Sequence, residues 1–411
     1  MNLIQPFAAL RPASDRASDV VAPPYDVLST NEARERASGR PWSFLHISKP
    51  EIDLPADTNP YAAEVYAKGA ENLQNMIRAG VLVRDPAACY YVYRIVMGSH
   101  SQTGIVAAAS VADYDTNRIR KHEFTRPDKE DDRVRQIDAL DAQTGPVLLA
   151  YPAAPEVDAI LAAASAGAPD SDAELDDVRH TLWVIRDAAI QARITAAFNA
   201  MHALYIADGH HRSASASRIA AARKAANPAH TGSEPYNFFL SVIFPAHEMR
   251  IMDYNRVITD LNGLSADAFL QRMGSAFSVE LAAAAVKPER PGVFGLYLGG
   301  KWYRLTIRPD LIPADPVGRL DVSLLQNNLI APILGITDPR RDKRIDFVGG
   351  IRGLAELEKR VNSGEMALAF ALHPTGMEDL MAVADANEVM PPKSTWFEPK
   401  LADGLASHVL V

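Results

Sequence analysis

Apolar residues recur along the chain with two spacings, one typical of strands and the other of amphipathic helices. Residues 60–79 carry Tyr61, Val65 and Leu73 at helical spacing and end before Gly80, so they predict an amphipathic helix. Further helices are predicted over residues 26–38, 128–143, 188–201 and from Ser213 onward. Short apolar runs predict strands at residues 41–51, 90–97, 103–111, 147–151, 181–185, 204–207 and 237–244.

The pattern changes at about residue 261. Strands are then predicted around residues 292–298, 302–307 and 366–372, and helices over residues 266–276, 322–334 and 351–361. Strands and helices alternate irregularly and hairpins occur among them, which favours an α+β fold with a mixed sheet and flanking helices over a doubly wound parallel sheet. We expect an α+β core over residues 1–260 and a C-terminal α+β part over residues 261–411 that packs on it.

Composition narrows the class of protein. The 411 residues are 48% hydrophobic, which is typical of a globular protein with a sizeable core. The net charge of -9 argues against a general nucleic-acid binder, because binding to a phosphate backbone needs a basic surface. The single cysteine, Cys89, excludes an internal disulfide. No basic leader or membrane-length apolar run is present in the sequence, so we expect a cytoplasmic protein that does not bind membranes.

The strongest chemical signal is the turn Asp208-Gly-His-His-Arg212, which lies between a predicted strand and an Ala-rich helix. A helix N-terminus presents free backbone N–H groups and partial positive charge, so it is suited to bind phosphate. Gly209 allows close backbone approach, Arg212 supplies a forked donor and Ser213 a hydroxyl. Asp208 would repel phosphate, so we interpret it as an N-cap, a base or a magnesium ligand. The alternative is that Asp208 only caps the helix and the histidines are ordinary turn residues.

A second cluster, Lys121-His-Glu-Phe-Thr-Arg126, precedes another predicted helix. Glu123 beside His122 is suited to activate a hydroxyl as a general base. The cations suited to neutralise phosphate charge are Lys121, Arg126, Lys129 and Arg133. A solvated charged loop is the alternative interpretation. Because loops converge at one edge of a sheet, we expect His122 and Glu123 to approach Asp208 and His211 across one cleft.

The same residues allow a metal-site hypothesis. Imidazoles and carboxylates bind zinc or manganese, and a metal-activated water would make the protein a hydrolase. The candidate ligands are His122, His210, His211, Glu123 and Asp208. They lack a short ligand spacing, and adjacent histidines seldom reach one ion. We therefore predict no metal held by protein ligands alone, and favour magnesium that arrives with a nucleotide.

Two other segments invite a functional interpretation. Residues 295–301 nearly match a phosphate-binding loop, but Trp302 replaces the required Ser or Thr and strands flank the segment, so a Gly-Gly hairpin is predicted. The proline-rich residues 390–399 are unsuited to a helix. We interpret them as an extended segment that wraps a site, with Lys393, Ser394 and Thr395 reaching inward. Packing alone explains Trp396 and Phe397 equally well.

Several short motifs together resemble a known family. They are Pro6-Phe7 with Arg11-Pro12, Ala22-Pro-Pro-Tyr-Asp26, Lys121-His-Glu-Phe-Thr125, Asp208-Gly-His-His-Arg212 and Met390-Pro-Pro-Lys-Ser-Thr-Trp-Phe397. With these motifs the chain resembles domain of unknown function family 1015, which is described as serine-kinase-like. Its Asp-Gly-His-His-Arg turn is similar to the phosphate-binding turn of the ParB/sulfiredoxin-like superfamily, which includes free-serine kinases. The resemblance implies a ParB/sulfiredoxin-like core.

The turn and the resemblance together lead to one expected function and two alternatives. We expect a nucleotide-dependent kinase that phosphorylates a small hydroxylated metabolite, with free serine as an example, and that uses ATP or ADP with Mg²⁺. The alternatives are a non-catalytic sensor of a nucleotide or phosphate ligand, and a phosphatase or metal-dependent hydrolase. The predicted catalytic residues are His122, Glu123, Asp208 and His211. The predicted nucleotide-binding residues are Lys121, Thr125, Arg126, Gly209, His210, Arg212 and Ser213.

Overall fold

The computed structural model describes residues 2–411, which divide into two compact units. The first unit contains the chain up to Met249 together with Pro399–Val411, and the second contains Arg250–Glu398. The predicted domains, residues 1–260 and 261–411, stay a prediction, because compactness alone does not test which segments fold independently. Among residues 2–411, no helix is long and apolar enough to cross a membrane.

Helices and strands alternate irregularly in both units. The helices are α1 (Ala17–Val20), α2 (Thr30–Ala37), α3 (Leu45–Ser48), α4 (Ala63–Arg78), α5 (Val111–Asp115), α6 (Pro127–Leu140), α7 (Pro155–Ala164), α8 (Ala188–Asn199), α9 (His210–Ala226), α10 (Ala266–Met273), α11 (Asp321–Leu325), α12 (Ala331–Leu334), α13 (Gly353–Asn362) and α14 (Met377–Asp385). The strands are β1 (Ile4–Gln5), β2 (Leu10–Pro12), β3 (Leu82–Arg84), β4 (Tyr90–Met97), β5 (His100–Ser110), β6 (Ile119–Arg120), β7 (Ala142–Gln143), β8 (Val147–Tyr151), β9 (Ser171–Leu175), β10 (Val178–Ile185), β11 (Leu204–Asp208), β12 (Phe238–Pro245), β13 (Ile251–Met252), β14 (Tyr254–Ile258), β15 (Phe277–Ala282), β16 (Val293–Leu298), β17 (Lys301–Ile307), β18 (Ile345–Gly349), β19 (Leu368–Ala371), β20 (Trp396–Phe397) and β21 (His408–Val409).

The first unit is built on a mixed sheet with the strand order β6-β11-β8-β12-β5-β4-β10-β9, to which β1 adds by pairing with β5. β11 runs parallel to β6 and antiparallel to β8, while β12 runs parallel to β8 and antiparallel to β5. Ile105, Leu149, Ile206 and Phe239 from four of these strands are buried in one core. The mixed sheet with flanking helices confirms the predicted α+β class, and the ParB/sulfiredoxin label stays a prediction.

The strand predicted over residues 41–51 is wrong. The segment forms α3 and then a 3-10 helix at Pro50–Asp53. A short apolar run between prolines does not distinguish strand from helix by periodicity alone. Distant side chains satisfy the carbonyls at the end of α3, since Asn72 Nδ2 donates to His46 O at 2.7 Å and Gln136 Nε2 to Ile47 O at 2.8 Å.

The helix predicted over residues 26–38 is confirmed as α2 and has a complete N-terminal cap. Ser29 is its N-cap and Glu32 closes the capping box, as these residue types predict.

The second unit contains an antiparallel sheet with the order β15-β17-β16-β19-β14-β18. β16 and β17 meet at Gly299 and Gly300, which confirms the predicted hairpin. The helix predicted over residues 322–334 is α11, a π-helical turn at Gln326–Ile330 and α12. In the proline-rich segment, β20 pairs with β13, and the Lys393 Nζ lies 5.6 Å from the centre of the Tyr254 ring.

Candidate functional site

The turn after β11 places the first residues of α9 at the sheet edge. The chain leaves β11 at Asp208, turns at Gly209 with a φ of 97°, and begins α9 at His210, three residues before the predicted start. The left-handed φ favours glycine, and an added Cβ would lie 3.0 Å from the Arg212 Nε. The N–H groups of the first helical turn have no acceptor within the helix and point toward its N-terminus. The backbone of the predicted phosphate-binding turn therefore has suitable geometry.

Asp208 does not cap α9, so the capping interpretation is wrong. The chain turns one residue later, and Gly209 holds the N-cap position without a side-chain bond. The Asp208 carboxylate instead lies 3.5 Å from the Lys400 Nζ and 3.7 Å from the Arg212 Nη2. Burial acts to raise the pKa of Asp208. The Lys400 and Arg212 cations act in the opposite direction and outweigh burial, so the pKa is lowered to about 2. Asp208 is therefore ionised at neutral pH and is a weak proton acceptor.

His122 and His210 form a buried contact between the two predicted clusters. Their ring centroids are 4.5 Å apart at right angles, and the His122 backbone N–H donates to the His210 Nε2 at 3.4 Å. Burial lowers the pKa of His122 to about 4 and that of His210 well below its usual value. Both rings are therefore neutral at pH 7. Because the His210 Nε2 accepts a hydrogen bond, we assign its proton to Nδ1.

Glu123 lies at the open side of this histidine pair. Its Oε2 is 3.7 Å from the His210 Nδ1, and its side chain is 57% exposed. The protonated Nδ1 of His210 faces the Glu123 carboxylate. This contact favours the orientation in which the Glu123 side chain lies beside His210. The result is a solvent-accessible carboxylate beside two uncharged, buried imidazoles.

His211 connects the second cluster to α9 through a different loop residue. Its Nε2 accepts a hydrogen bond from the Arg126 backbone N–H at 3.1 Å, and burial together with the Arg126 charge lowers the pKa of His211. The Arg126 side chain points to Asp128, at 3.3 Å, and is largely exposed. The structure thus brings residues 122–126 against the first turn of α9, with His211 as an anchor of the loop.

Three predicted phosphate ligands bind protein groups instead. The Lys121 Nζ lies 3.9 Å from the centre of the Tyr114 ring, and burial lowers its pKa. The Thr125 hydroxyl donates to the Glu130 carboxylate. Ser213 is fully buried, and its hydroxyl donates to the His210 carbonyl at 3.0 Å. Their predicted roles in nucleotide binding stay predictions.

Sequence analysis did not anticipate a small cavity beside Arg212. The polar side chains in its lining are Tyr25, Ser48, Arg133, Gln136, Gln143, Thr144, Arg212 and Asp403. Asp403 accepts a hydrogen bond from the Ser48 hydroxyl at 2.8 Å, and burial raises the pKa of Asp403 to about 7. Tyr25 belongs to the Ala22–Asp26 motif, which was a signal in the sequence. No sequence signal indicated Asp403 or Lys400, because each is a single polar residue in a C-terminal segment without a motif.

Arg212 is buried between these groups. Its Nη1 donates to the Pro146 carbonyl, and its Nη2 lies 3.9 Å from Asp26 Oδ2. Burial acts to lower the pKa of Arg212, but the Asp26 and Asp208 carboxylates raise it above its usual value. The guanidinium is thus a permanent charge beside the first turn of α9.

A metal site made of protein ligands does not form within the described residues 2–411. No group of three or more His, Cys, Asp or Glu side chains there is placed to hold an ion. His210 and His211 instead contact different residues of the loop, His122 and Arg126.

Several solved structures show limited similarity to this chain. One is a free serine kinase variant in complex with AMP, with a TM-score of 0.35 and 14% identity over 72% of this chain and 87% of that chain. Another is a conserved hypothetical protein from Pyrococcus furiosus, with a TM-score of 0.35 and 14% identity over 76% and 97%. A third is SbnI with a C-terminal truncation from Staphylococcus aureus, with a TM-score of 0.36 and 11% identity over 72% and 84%.

A search of curated proteins found no match to this chain. A family model does match, over residues 4–323, and it confirms the resemblance found from the motifs. The chain belongs to the family described as "Protein of unknown function (DUF1015)".

Proposed function

We propose that the protein is a nucleotide-dependent kinase that phosphorylates a small hydroxylated metabolite, with free serine as one candidate acceptor. The observation that carries this proposal is the contact between Glu123 and the first turn of α9, because it combines a carboxylate with an anion-binding helix N-terminus. Glu123 Oε2 lies 3.7 Å from the His210 Nδ1. A kinase needs both a phosphate-binding element and a proton acceptor at one place.

The residues around Gly209 suit the phosphates of ATP or ADP. The 17-residue α9 directs its positive dipole end at this point, equivalent to roughly half an elementary charge. The buried Arg212 and the Lys400 ammonium add two cations. A bound nucleotide with Mg²⁺ would supply the phosphoryl group and neutralise its charge. The ionised Asp208 is the carboxylate in this cluster best suited to hold the magnesium ion.

Glu123 is the proposed general base. It is exposed to solvent and to an incoming hydroxyl, whereas Asp208, with its pKa lowered to about 2, is a weak proton acceptor. The neutral His122–His210 pair does not compete for protons at pH 7, so its proposed role is to position Glu123. His211 is proposed to hold the loop through the Arg126 backbone rather than to transfer a proton.

One observation favours a second candidate, a non-catalytic sensor of a nucleotide or phosphate ligand. The Lys121, Thr125 and Ser213 side chains bind protein groups. In this arrangement the helix N-terminus and Arg212 are sufficient for binding, but few donors remain to stabilise charge in a transition state.

The test is incubation of the purified protein with ATP or ADP, Mg²⁺ and a panel of hydroxylated metabolites, followed by mass spectrometry of the products. A kinase yields a product that is heavier by one phosphoryl group and that forms about a hundredfold more slowly in Glu123→Gln. Asp128→Asn is a matched control, because this exposed carboxylate on α6 pairs only with the exposed Arg126 side chain in the described structure. Nucleotide binding without any product supports the sensor, and absence of both binding and product contradicts both proposals.

A further inference from the structure

Phe124 is the most exposed large apolar residue among residues 2–411, at 75% exposure. It follows Glu123, the proposed general base, in the Lys121–Thr125 motif, but the proposed chemistry uses only its neighbours. Exposure of one apolar residue needs no explanation by itself. Two features of the loop at residues 121–126 distinguish Phe124 from the other exposed apolar residues: the attachment of the loop to α9, and the open faces of the ring.

The loop is attached to the first turn of α9 on both sides of Phe124. On one side, the His122 backbone N–H donates to the His210 Nε2 at 3.4 Å. On the other side, the Arg126 backbone N–H donates to the His211 Nε2 at 3.1 Å. Phe124 is two residues from each of these donors, so its Cα lies within about 7 Å of both backbone nitrogens. The exposed ring is therefore held close to the N-terminus of α9, where the nucleotide phosphates are proposed to bind.

Two other aromatic rings near the site already carry a cation. The Lys121 Nζ lies 3.9 Å from the centre of the Tyr114 ring. The Arg133 guanidinium lies at the same distance from the centre of the Tyr25 ring. Within residues 2–411, neither a cation nor a second aromatic ring packs on Phe124 in this way. Phe124 thus offers an open aromatic face beside the proposed phosphate site.

We propose that Phe124 stacks on the base of the bound nucleotide. The inference rests on the nucleotide-binding part of the proposed function. Among the reactants, the phosphates match the helix N-terminus and the acceptor hydroxyl matches Glu123, and the base is the only aromatic group. Stacking of a base on an aromatic side chain requires only two π faces and no hydrogen-bond partner. An exposed ring that is fixed near the phosphates meets this requirement.

The test compares ATP with inorganic tripolyphosphate, which has the phosphates but no base. Each is titrated with Mg²⁺ into the full-length protein and its variants by calorimetry. Phe124→Ala should weaken ATP binding about tenfold, as expected for the loss of one base–aromatic stack, and tripolyphosphate binding less than twofold. Phe124→Tyr keeps the ring and should bind ATP within about twofold of wild type. Leu281→Ala is the matched control, because Leu281 on β15 is also exposed and apolar, and it should leave both affinities unchanged.

A second variant, Phe124→Trp, reports on the contact directly. Its additional fluorescence relative to wild type should be quenched by ATP and left unchanged by tripolyphosphate, because only ATP brings a base to the ring. Fluorescence that does not respond to ATP would contradict the stack.

Two results of the titrations would overturn the inference. One is an unchanged ATP affinity in Phe124→Ala, and the other is an equal loss of ATP and tripolyphosphate affinity, which would show that the substitution disturbs the phosphate site. If wild type phosphorylates an acceptor while Phe124→Ala binds ATP unchanged, only this inference is wrong. If wild type binds ATP through Phe124 but forms no product, the kinase proposal is contradicted and the base contact stands. Binding of neither ligand by wild type contradicts both.

Discussion

Replacement of Asp403 by Asn should make the protein more stable in mildly alkaline solution. Burial raises the pKa of the Asp403 carboxyl from 3.8 to about 7 in the folded protein. The folded state then holds a proton between these two values that the unfolded state has released, so stability is lost as pH rises through this window. A difference of about 3 pKa units corresponds to about 4 kcal/mol once the carboxyl is ionised. Asn keeps the shape and an oxygen acceptor for Ser48 but does not ionise.

The assay is urea denaturation followed by tryptophan fluorescence at pH 4.5 and pH 8. Asp403→Asn should raise the free energy of unfolding at pH 8 by up to about 4 kcal/mol and change it little at pH 4.5. Asp172→Asn is the control, because the pKa of this more exposed carboxyl is lowered by Arg179 and its replacement should be slightly destabilising at pH 8. A variant that is no more stable than wild type at pH 8 would refute the conclusion that burial raises the pKa of the Asp403 carboxyl.

Three further predictions concern the site and the buried histidines. Arg212→Ala should weaken ATP binding tenfold or more in a calorimetric titration, because a charge-assisted contact contributes about 1.5 to 3 kcal/mol; unchanged affinity would exclude Arg212 from the phosphate site. Glu123→Gln should lower turnover about a hundredfold and preserve nucleotide affinity. A variant as fast as wild type would show that another residue is the general base. Burial lowers the pKa of His122, His180 and His408 to about 4, so the free energy of unfolding should fall as pH drops from 6.5 toward 4, by up to about 3 kcal/mol for each ring. A flat pH profile over that range would contradict the burial of these rings as neutral groups.

The local sequence was sufficient to predict the junction of β11 and α9, but not the residue at which α9 begins. An apolar run, a glycine and an Ala-rich segment predict a strand, a turn and a helix, and all three are present. The helix begins earlier than expected because Gly209 absorbs the whole turn in one left-handed residue, and the propensities of His and Arg do not indicate this. Residues 41–51 were assigned wrongly because side chains of α4 and α6 complete their hydrogen bonds.

The electrostatics of the site depend on contacts that span long stretches of the chain. Asp208 and Lys400 are 192 residues apart in sequence, and Ser48 and Asp403 are 355 apart. No periodicity or short motif connects residues at such separations. The groups that set the pKa of Asp208 and form the cavity of Arg212 therefore became visible only in the folded structure.

The position of Lys400 and Asp403 also has a consequence for synthesis on the ribosome. The segment Arg250–Glu398 is translated after the turn at Gly209 and before Lys400 and Asp403. At about 5 to 20 residues per second, translation of this stretch takes on the order of ten to thirty seconds. During that time the nascent first unit contains Asp208 and Arg212 but neither Lys400 nor Asp403, and it lacks the pairing of β21 with β7. A ribosome that stops within this stretch therefore releases a product that carries the Asp208–Arg212 turn and has an incomplete site.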